Sequence, residues 1–284
     1  MIIIADSGST KTSWRFCNEG RVLHSLATIG LNPHTVSADL IDDAIASAAE
    51  DLNFYHGEEV ERIFFYGAGC GDGYGRSAIE SCLLRYFVTD AVSVETDLTG
   101  ACRALLGDKT GYVGILGTGS NFCYYDPSDN APSTPFSLGY LLGDEGSGCH
   151  IGRLLLREFL RGHLSATLSD ALQQQHPDLI DTYRQEIYAG KTPSRYLASF
   201  VDFVGRHRSD PQIAGVLVAA FDAYMNEAHR MISQAETITP LNLCGGVAAE
   251  FETEVRHAAE RAGFHIEAII ADPIDALVRY HQEN

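Results

Sequence analysis

Asp6, Ser7, Gly8, Ser9, Thr10 and Lys11 follow one another between two apolar runs, and their types suit phosphate chemistry. Gly8 lets the backbone approach a ligand closely. The hydroxyls and N–H groups of Ser9, Thr10 and Lys11 can bond to phosphate oxygens. Asp6 repels phosphate unless a cation lies between them, so the pattern implies Mg²⁺. An ordinary hairpin with a polar tip accounts for the same residues, because short motifs often match by chance. A second turn of this kind, Gly117-Thr118-Gly119-Ser120, recurs about one hundred and ten residues later, with no acid matching Asp6. Gly67 to Gly71 and Gly245-Gly246 also follow apolar runs. In open α/β folds, ligands bind beyond the carboxyl ends of strands. A helix opening at Gly245-Gly246 would add N–H groups and a positive dipole end.

These turns require strands and helices to hold them, and the pattern alternates between the two. Residues 2–6 and 12–17 predict a hairpin, with 21–28 as a third strand. Amphipathic spacing predicts a helix over 36–53. Strands are expected at 63–66 and 91–94, with a helix at 76–88. Thr96 is placed to cap a helix from Asp97 to Leu106, and Gly107 to Gly111 reads as a turn or linker. A second hairpin follows at 112–116 and 122–125. Ser128 to Pro135 is a polar loop, and the glycine-rich stretch 139–148 carries Asp144-Glu145. Helices are expected at 149–161, 193–235, 247–262 and 273–280, and strands at 237–244 and 265–270. A repeat this long is not a solenoid; it suggests two related domains, each opening on a phosphate-facing hairpin.

Composition narrows the partners. The 284 residues carry 38 acids against 20 bases, a formal charge of −18. Nucleic acid and anionic membrane surfaces both need a basic footprint, so neither is expected as a partner. A phosphate can still be held locally by backbone N–H groups and a metal. No apolar stretch reaches transmembrane length, and no signal core is visible. The seven scattered cysteines form no Cys-x-x-Cys pair, which fits reduced thiols and a cytoplasmic location. His34, Cys149 and His150 lack metal-ligand spacing and read as structural or surface residues.

Asp6-Ser-Gly-Ser-Thr10 resembles the first phosphate hairpin of the hexokinase, Hsp70 and actin superfamily. Glu95-Thr-Asp97, Gly117-Thr-Gly-Ser-Asn121 and Gly143-Asp-Glu-Gly-Ser147 resemble the N-acetylglucosamine kinase branch of the BadF/BadG/BcrA/BcrD-type ATPase family. The resemblance implies an α/β fold of two ribonuclease H-like (actin-like ATPase) domains with a central cleft. It implies an N-terminal domain of 1–111 plus 272–284 and a C-terminal domain of 112–271. ATP, with Mg²⁺, would phosphorylate an amino sugar, N-acetylglucosamine or a close relative, at the 6-hydroxyl. Asp97 becomes the general base, and as a helix first-turn acid it is expected to have a low pKa. Asp6 would hold Mg²⁺ through water. Gly8, Ser9, Thr10 and Lys11, with Gly117, Thr118, Gly119 and Ser120, would meet the phosphates, and Gly245 and Gly246 the adenosine. Asn32, Thr118, Gly139, Asp144 and Glu145 would face the sugar. Leu138-Gly139 stands where a relative has Trp-Gly, which leaves the acetamido pocket open. The resemblance allows a homodimer. Two other readings share the fold: an ATP-driven activator of a reductase or dehydratase, and a non-catalytic sugar or nucleotide sensor.

Overall fold

The computed structural model describes residues 1–55, 59–129, 131–134, 137–232 and 240–283. It divides into two compact units. Met1–Thr110, Tyr125–Pro132 and Asp272–Asn284 form the first, and Gly111–Tyr124 with Ser133–Ala271 form the second.

In the first unit, β1 (Ile2–Ser7), β2 (Lys11–Asn18) and β3 (Arg21–Ile29) lead to α1 (Ala38–Tyr55), β4 (Arg62–Gly67), α2 (Gly73–Tyr86), β5 (Val92–Thr96) and α3 (Asp97–Leu106). The strand order is β3-β2-β1-β4-β5. β1 pairs antiparallel with β2 and parallel with β4, and β4 pairs parallel with β5. A central strand covered on both faces needs a continuous apolar run, and Ile3, Ile4 and Ala5 are fully buried. Trp14, Phe16, Phe65, Ile45 and Ile79 fill one side of this core. The helix expected at 76–88 starts earlier, at Gly73. Asp72 caps it by accepting from the Gly75 N–H at 2.7 Å.

The second unit begins with β6 (Gly111–Leu116) and β7 (Ser120–Tyr125), whose last residue, Tyr125, groups with the first unit. Then come α4 (Gly139–Leu142), α5 (Gly148–Leu160), α6 (Ala166–Gln175), α7 (Leu179–Tyr188), α8 (Pro193–Ala198), α9 (Val201–Arg206) and α10 (Pro211–Ile232). β8 (Leu241–Cys244), α11 (Gly246–Glu250), α12 (Glu252–Arg261) and β9 (Ile266–Ile270) complete it. Its strand order is β7-β6-β8-β9, with β6, β8 and β9 parallel. The helix expected over 193–235 is instead α8, α9 and α10. Phe200 is fully buried between the first two, and Pro211 restarts the third at a position where proline needs no N–H partner. Residues 233–239, including the start of the strand expected at 237, lie outside the described residues. So do Asn130 and Pro135 of the polar loop. The helix expected over 247–262 breaks at Phe251, which is fully buried and has φ −110°, ψ 36°. α6 and α7 occupy 166–188, where the pattern had suggested no element.

The chain closes with α13 (Ile274–Glu283), which packs on the first unit. Ile274, Leu277 and Val278 cover Ile4, Cys17 and Tyr66. His281 stacks on Phe64 with ring centroids 3.7 Å apart, and its Nε2 lies 2.8 Å from the Tyr66 hydroxyl. That hydroxyl also accepts from Arg103 of α3 at 2.9 Å. Burial, then the nearby guanidinium groups of Arg103 and Arg62, lower the His281 pKa to about 4.

Candidate functional site

The residues with phosphate chemistry fall at strand ends, as the turn positions suggested. In the first unit, Asp6 lies near the carboxyl end of β1 and faces Ser13 in the β1–β2 register. The Gly8 N–H donates to the Lys11 carbonyl at 3.0 Å and closes the turn. Lys11 Nζ lies 2.8 Å from Asp272 Oδ2, which also accepts from the Ser13 hydroxyl at 3.0 Å. Asp272 Oδ1 accepts from the Ile274 N–H at 3.1 Å, at the start of α13. Burial alone would raise Asp272. The hydrogen bond and charge of Lys11, with the Ile274 N–H and the Ser13 hydroxyl, hold its carboxyl below the usual range. Lys11 is therefore paired, and Asp272 joins this group from the turn before α13.

Asp6 is in the opposite condition. Burial, then the charges of Asp272 and Asp97, push its carboxyl well above the usual range, with Lys11 pulling the other way. Asp97 opens α3, with Thr96 as the cap: Thr96 Oγ1 accepts from the Thr99 N–H at 3.0 Å. The expected low pKa of Asp97 is not found. Burial raises it to about 6, and the Leu98 N–H, 2.9 Å from Oδ1, only partly offsets this. The helix-start argument fails because desolvation outweighs two backbone N–H bonds. Asn32 follows β3, and its Oδ1 accepts from the His34 N–H at 2.9 Å, closing its own turn. His34 is tied to Asp72 at 3.2 Å. A surface groove lined by Glu59, Leu84, Phe87 and Val88 lies at the amino ends of β4 and β5, away from these residues.

Asp6, Asp97 and Asp272 are hard oxygen donors, the type that Mg²⁺ selects. Among the described residues, no three His, Cys, Asp or Glu side chains are arranged to hold a metal by themselves. Mg²⁺ takes one or two protein carboxylates and completes its shell with water and phosphate.

In the second unit, the Gly117–Ser120 turn is stitched to the start of α5. The Gly148 N–H donates to the Gly117 carbonyl at 2.8 Å, and the Cys149 N–H to the Thr118 carbonyl at 3.0 Å. Asp144 reaches the turn from the preceding loop in a left-handed backbone conformation, φ 57°. Its Oδ1 accepts from the Ser120 N–H at 3.3 Å, and the Cys149 thiol points at Oδ2 from 3.6 Å. A side chain at Gly119 would come within 2.9 Å of that carboxylate and would push Asp144 aside. Burial raises the Asp144 pKa, and burial lifts the Cys149 thiol to about 11, so it remains a donor. The cap of α5 is Ser147, which accepts from the His150 N–H at 3.2 Å. His150 and Cys149 thus serve the loop structurally. Gly139 opens α4, and its carbonyl accepts from Gly143, next to Asp144 and Glu145. Gly245, φ 122°, fits under the turn; a Cβ there would stand 2.3 Å from the Leu116 carbonyl. The helix after it, α11, has only five residues, so the expected dipole end is weaker than a continuous helix would give.

No family model and no curated protein matches the chain. Solved structures do. A "putative N-acetylglucosamine kinase" from Porphyromonas gingivalis is 31% identical, covering 100% of this chain and 99% of that one with a TM-score of 0.87. A protein of the same description from Chromobacterium violaceum is 20% identical over 98% of each chain, with a TM-score of 0.76. A ROK family glucokinase from Streptomyces griseus, solved with glucose and AMPPNP, shares the fold at 15% identity, covering 98% and 97%, with a TM-score of 0.60. The fold is α/β of the actin-like ATPase type, and the chain belongs to the N-acetylglucosamine kinase-like family.

Proposed function

We propose that this protein is an ATP-dependent sugar kinase whose acceptor is an amino sugar, with N-acetylglucosamine at its 6-hydroxyl the first candidate. The observation that carries this reading is Asp97. Its carboxylate opens α3, is partly buried, has its pKa raised by desolvation to about 6 and shares one unit with Asp6 and Lys11. A base tuned toward neutrality suits removal of a hydroxyl proton during phosphoryl transfer, and typically supplies 10² to 10⁴ in rate. The relative from P. gingivalis, whose description names the same sugar, supports the acceptor.

Each residue has a task in this reading. Asp97 accepts the sugar proton. Lys11 and Thr10 bind phosphate oxygens, with Gly8 and Ser9 shaping the turn. Asp6 holds Mg²⁺, which when bound neutralises phosphate charge. Asp144 accepts from sugar hydroxyls through its two oxygens, and Asn32, Glu145, Thr118 and Gly139 are the other residues assigned to the sugar. Gly117 to Ser120 complete the phosphate contacts, and Gly245-Gly246 take the adenosine. The domains would be 1–111 with 272–284, and 112–271. Little covalent chemistry falls to the protein, whose work is positioning and charge stabilisation. ADP release measured across hexosamines, N-acetylhexosamines and plain hexoses tests the reading. It predicts release that depends on an amino sugar; ADP release indifferent to every sugar would refute it.

A further inference from the structure

We infer that Ser7 is a positioning residue whose buried hydroxyl locks the phosphate turn to the loop carrying Asn32, so that one hydrogen-bond relay sets the grip on both nucleotide and sugar. The inference rests on the kinase reading, which gives the turn to phosphate and Asn32 to the sugar.

Ser7 is the last residue of β1 and pairs with Thr12 on β2 and Gly67 on β4. It meets three loops at once. Its Oγ accepts from the Leu31 N–H at 2.9 Å and lies 2.8 Å from Thr12 Oγ1. Its carbonyl accepts from the Ala68 N–H at 2.9 Å. Ser7, Thr12 and Leu31 are all fully buried. The order of the protons follows from the donors available, because a hydroxyl has one proton to give. Thr12 gives its own to the Ile29 carbonyl at 2.8 Å. Ser7 must therefore give its proton to Thr12, which leaves its oxygen to accept from Leu31. The relay runs from the Leu31 N–H through Ser7 and Thr12 to Ile29, with every group served. It begins and ends on the passage from β3 to Asn32, and removing one member leaves its neighbours unserved.

Packing defines what the relay holds in place. Gly30 lies so close to the phosphate turn that a Cβ on it would stand 2.3 Å from the Gly8 carbonyl oxygen. Its N–H donates to the Thr10 carbonyl at 2.9 Å. A Cβ on Gly69 would stand 2.3 Å from Asn32 Oδ1, so Asn32 is wedged against the turn after β4. A shift of Leu31 is passed to Gly8 and Thr10 through Gly30, and to Asn32 through its own peptide bond. Neither Ser7 nor Thr12 reaches the surface, so both act through these loops and not by touching a ligand.

Steady-state kinetics on the full chain, with ATP and the amino sugar that wild type turns over fastest, tests the assignment. Thr12→Val removes the hydroxyl and keeps the shape. It should raise the KM of ATP and that of the sugar together, each about tenfold, the size expected when a buried hydrogen-bonding group loses its partner. Thr12→Ser keeps the hydroxyl and loses the methyl, and should leave both values close to wild type. Ser7→Ala should match Thr12→Val, and the double variant should be no worse than either single one, where independent sites would multiply to about a hundredfold. If Ser7→Ala does not fold, the two Thr12 variants decide. A merely structural role would lower the melting temperature and leave both KM values alone, so unchanged values in a folded Thr12→Val protein overturn the inference. A rise in only one of the two KM values overturns it too, as does a multiplied loss in the double variant or a Thr12→Ser protein as impaired as Thr12→Val. If wild type releases no ADP in response to any amino sugar, the kinase reading itself falls, and this assignment with it.

Discussion

β2-β1-β4-β5 in the first unit and β7-β6-β8-β9 in the second repeat one strand order: a hairpin, then two parallel strands. The third strand of the first unit, β3, pairs along β2 from Lys11 to Asn18. Its counterpart after β7 is, among the described residues, a bridge from Tyr124 to Ser133 with reciprocal 2.9 Å bonds. The carboxylates differ more. Asp6 belongs to β1 and Asp97 stands where β5 gives way to α3, so the first sheet fixes both, while Asp272 is held on the hairpin by Lys11 and Ser13. Asp144 is carried on a loop, in a backbone conformation unusual for any residue but glycine. A shared framework can therefore present acids in two ways: rigidly, through the sheet, or through a strained loop that depends on its neighbours.

Substitutions can break or sharpen this contrast. The largest effect belongs to the sheet-held base: Asp97→Asn should lower kcat by about 10² to 10⁴ while ATP binding persists, as calorimetry can check. The same change has a stability signature. Asp97 binds its proton more tightly folded than unfolded, its pKa rising from an ordinary 3.8 to about 6. Its contribution thus favours the fold below pH 4 and is lost as pH rises through 6. Asp97→Asn should gain about 1–3 kcal/mol over wild type at pH 7, with the gap closing near pH 4 in urea titrations. Wild-type kcat/KM should correspondingly fall below pH 6, as the base becomes protonated.

Next in size is Gly245→Ala, which drives a methyl into the Leu116 carbonyl. It should cost about 2–4 kcal/mol, read as earlier melting of the second unit. Asp144→Ala should raise the sugar KM more than the ATP KM, by about tenfold, the loss expected of charged hydrogen bonds. Equal losses for both substrates would place Asp144 with the nucleotide instead. Cys149→Ala is the mildest. It removes a weak thiol donor to Asp144, and the sugar KM should rise about two- to threefold, consistent with well under 1 kcal/mol. A larger effect would show that the loop relies on this one neighbour.

Local signals account for what the sequence revealed. Thr96 capping Asp97–Leu106 is visible because an N-cap is a contact within four residues. The glycine turns are visible because each ends an apolar strand. The break after Ala198 was hidden, since helical spacing continues across Ser199-Phe200, where Phe200 is fully buried, whereas the break before α10 is marked in the sequence by Pro211. The raised pKa of Asp97 was hidden for the same reason: desolvation is a property of the packed chain. Asp272 lies 261 residues from Lys11. Asp-Pro after a strand hints at a turn, yet nothing local says which lysine the turn will meet.

The ring stack of His281 on Phe64, and the burial of Ile4 and Tyr66 beneath α13, bear on how the protein is made. A ribosome delivers residues in order, and domains ordinarily fold from the amino end as they emerge. Here the earlier-born unit has one core face uncovered until Ile274 and its successors leave the exit tunnel, directly after β9, the last strand of the later unit. The amino-terminal sheet therefore waits with Ile4 and Tyr66 bare while the whole of the second unit is made, a span of translation during which a chaperone has the most to protect.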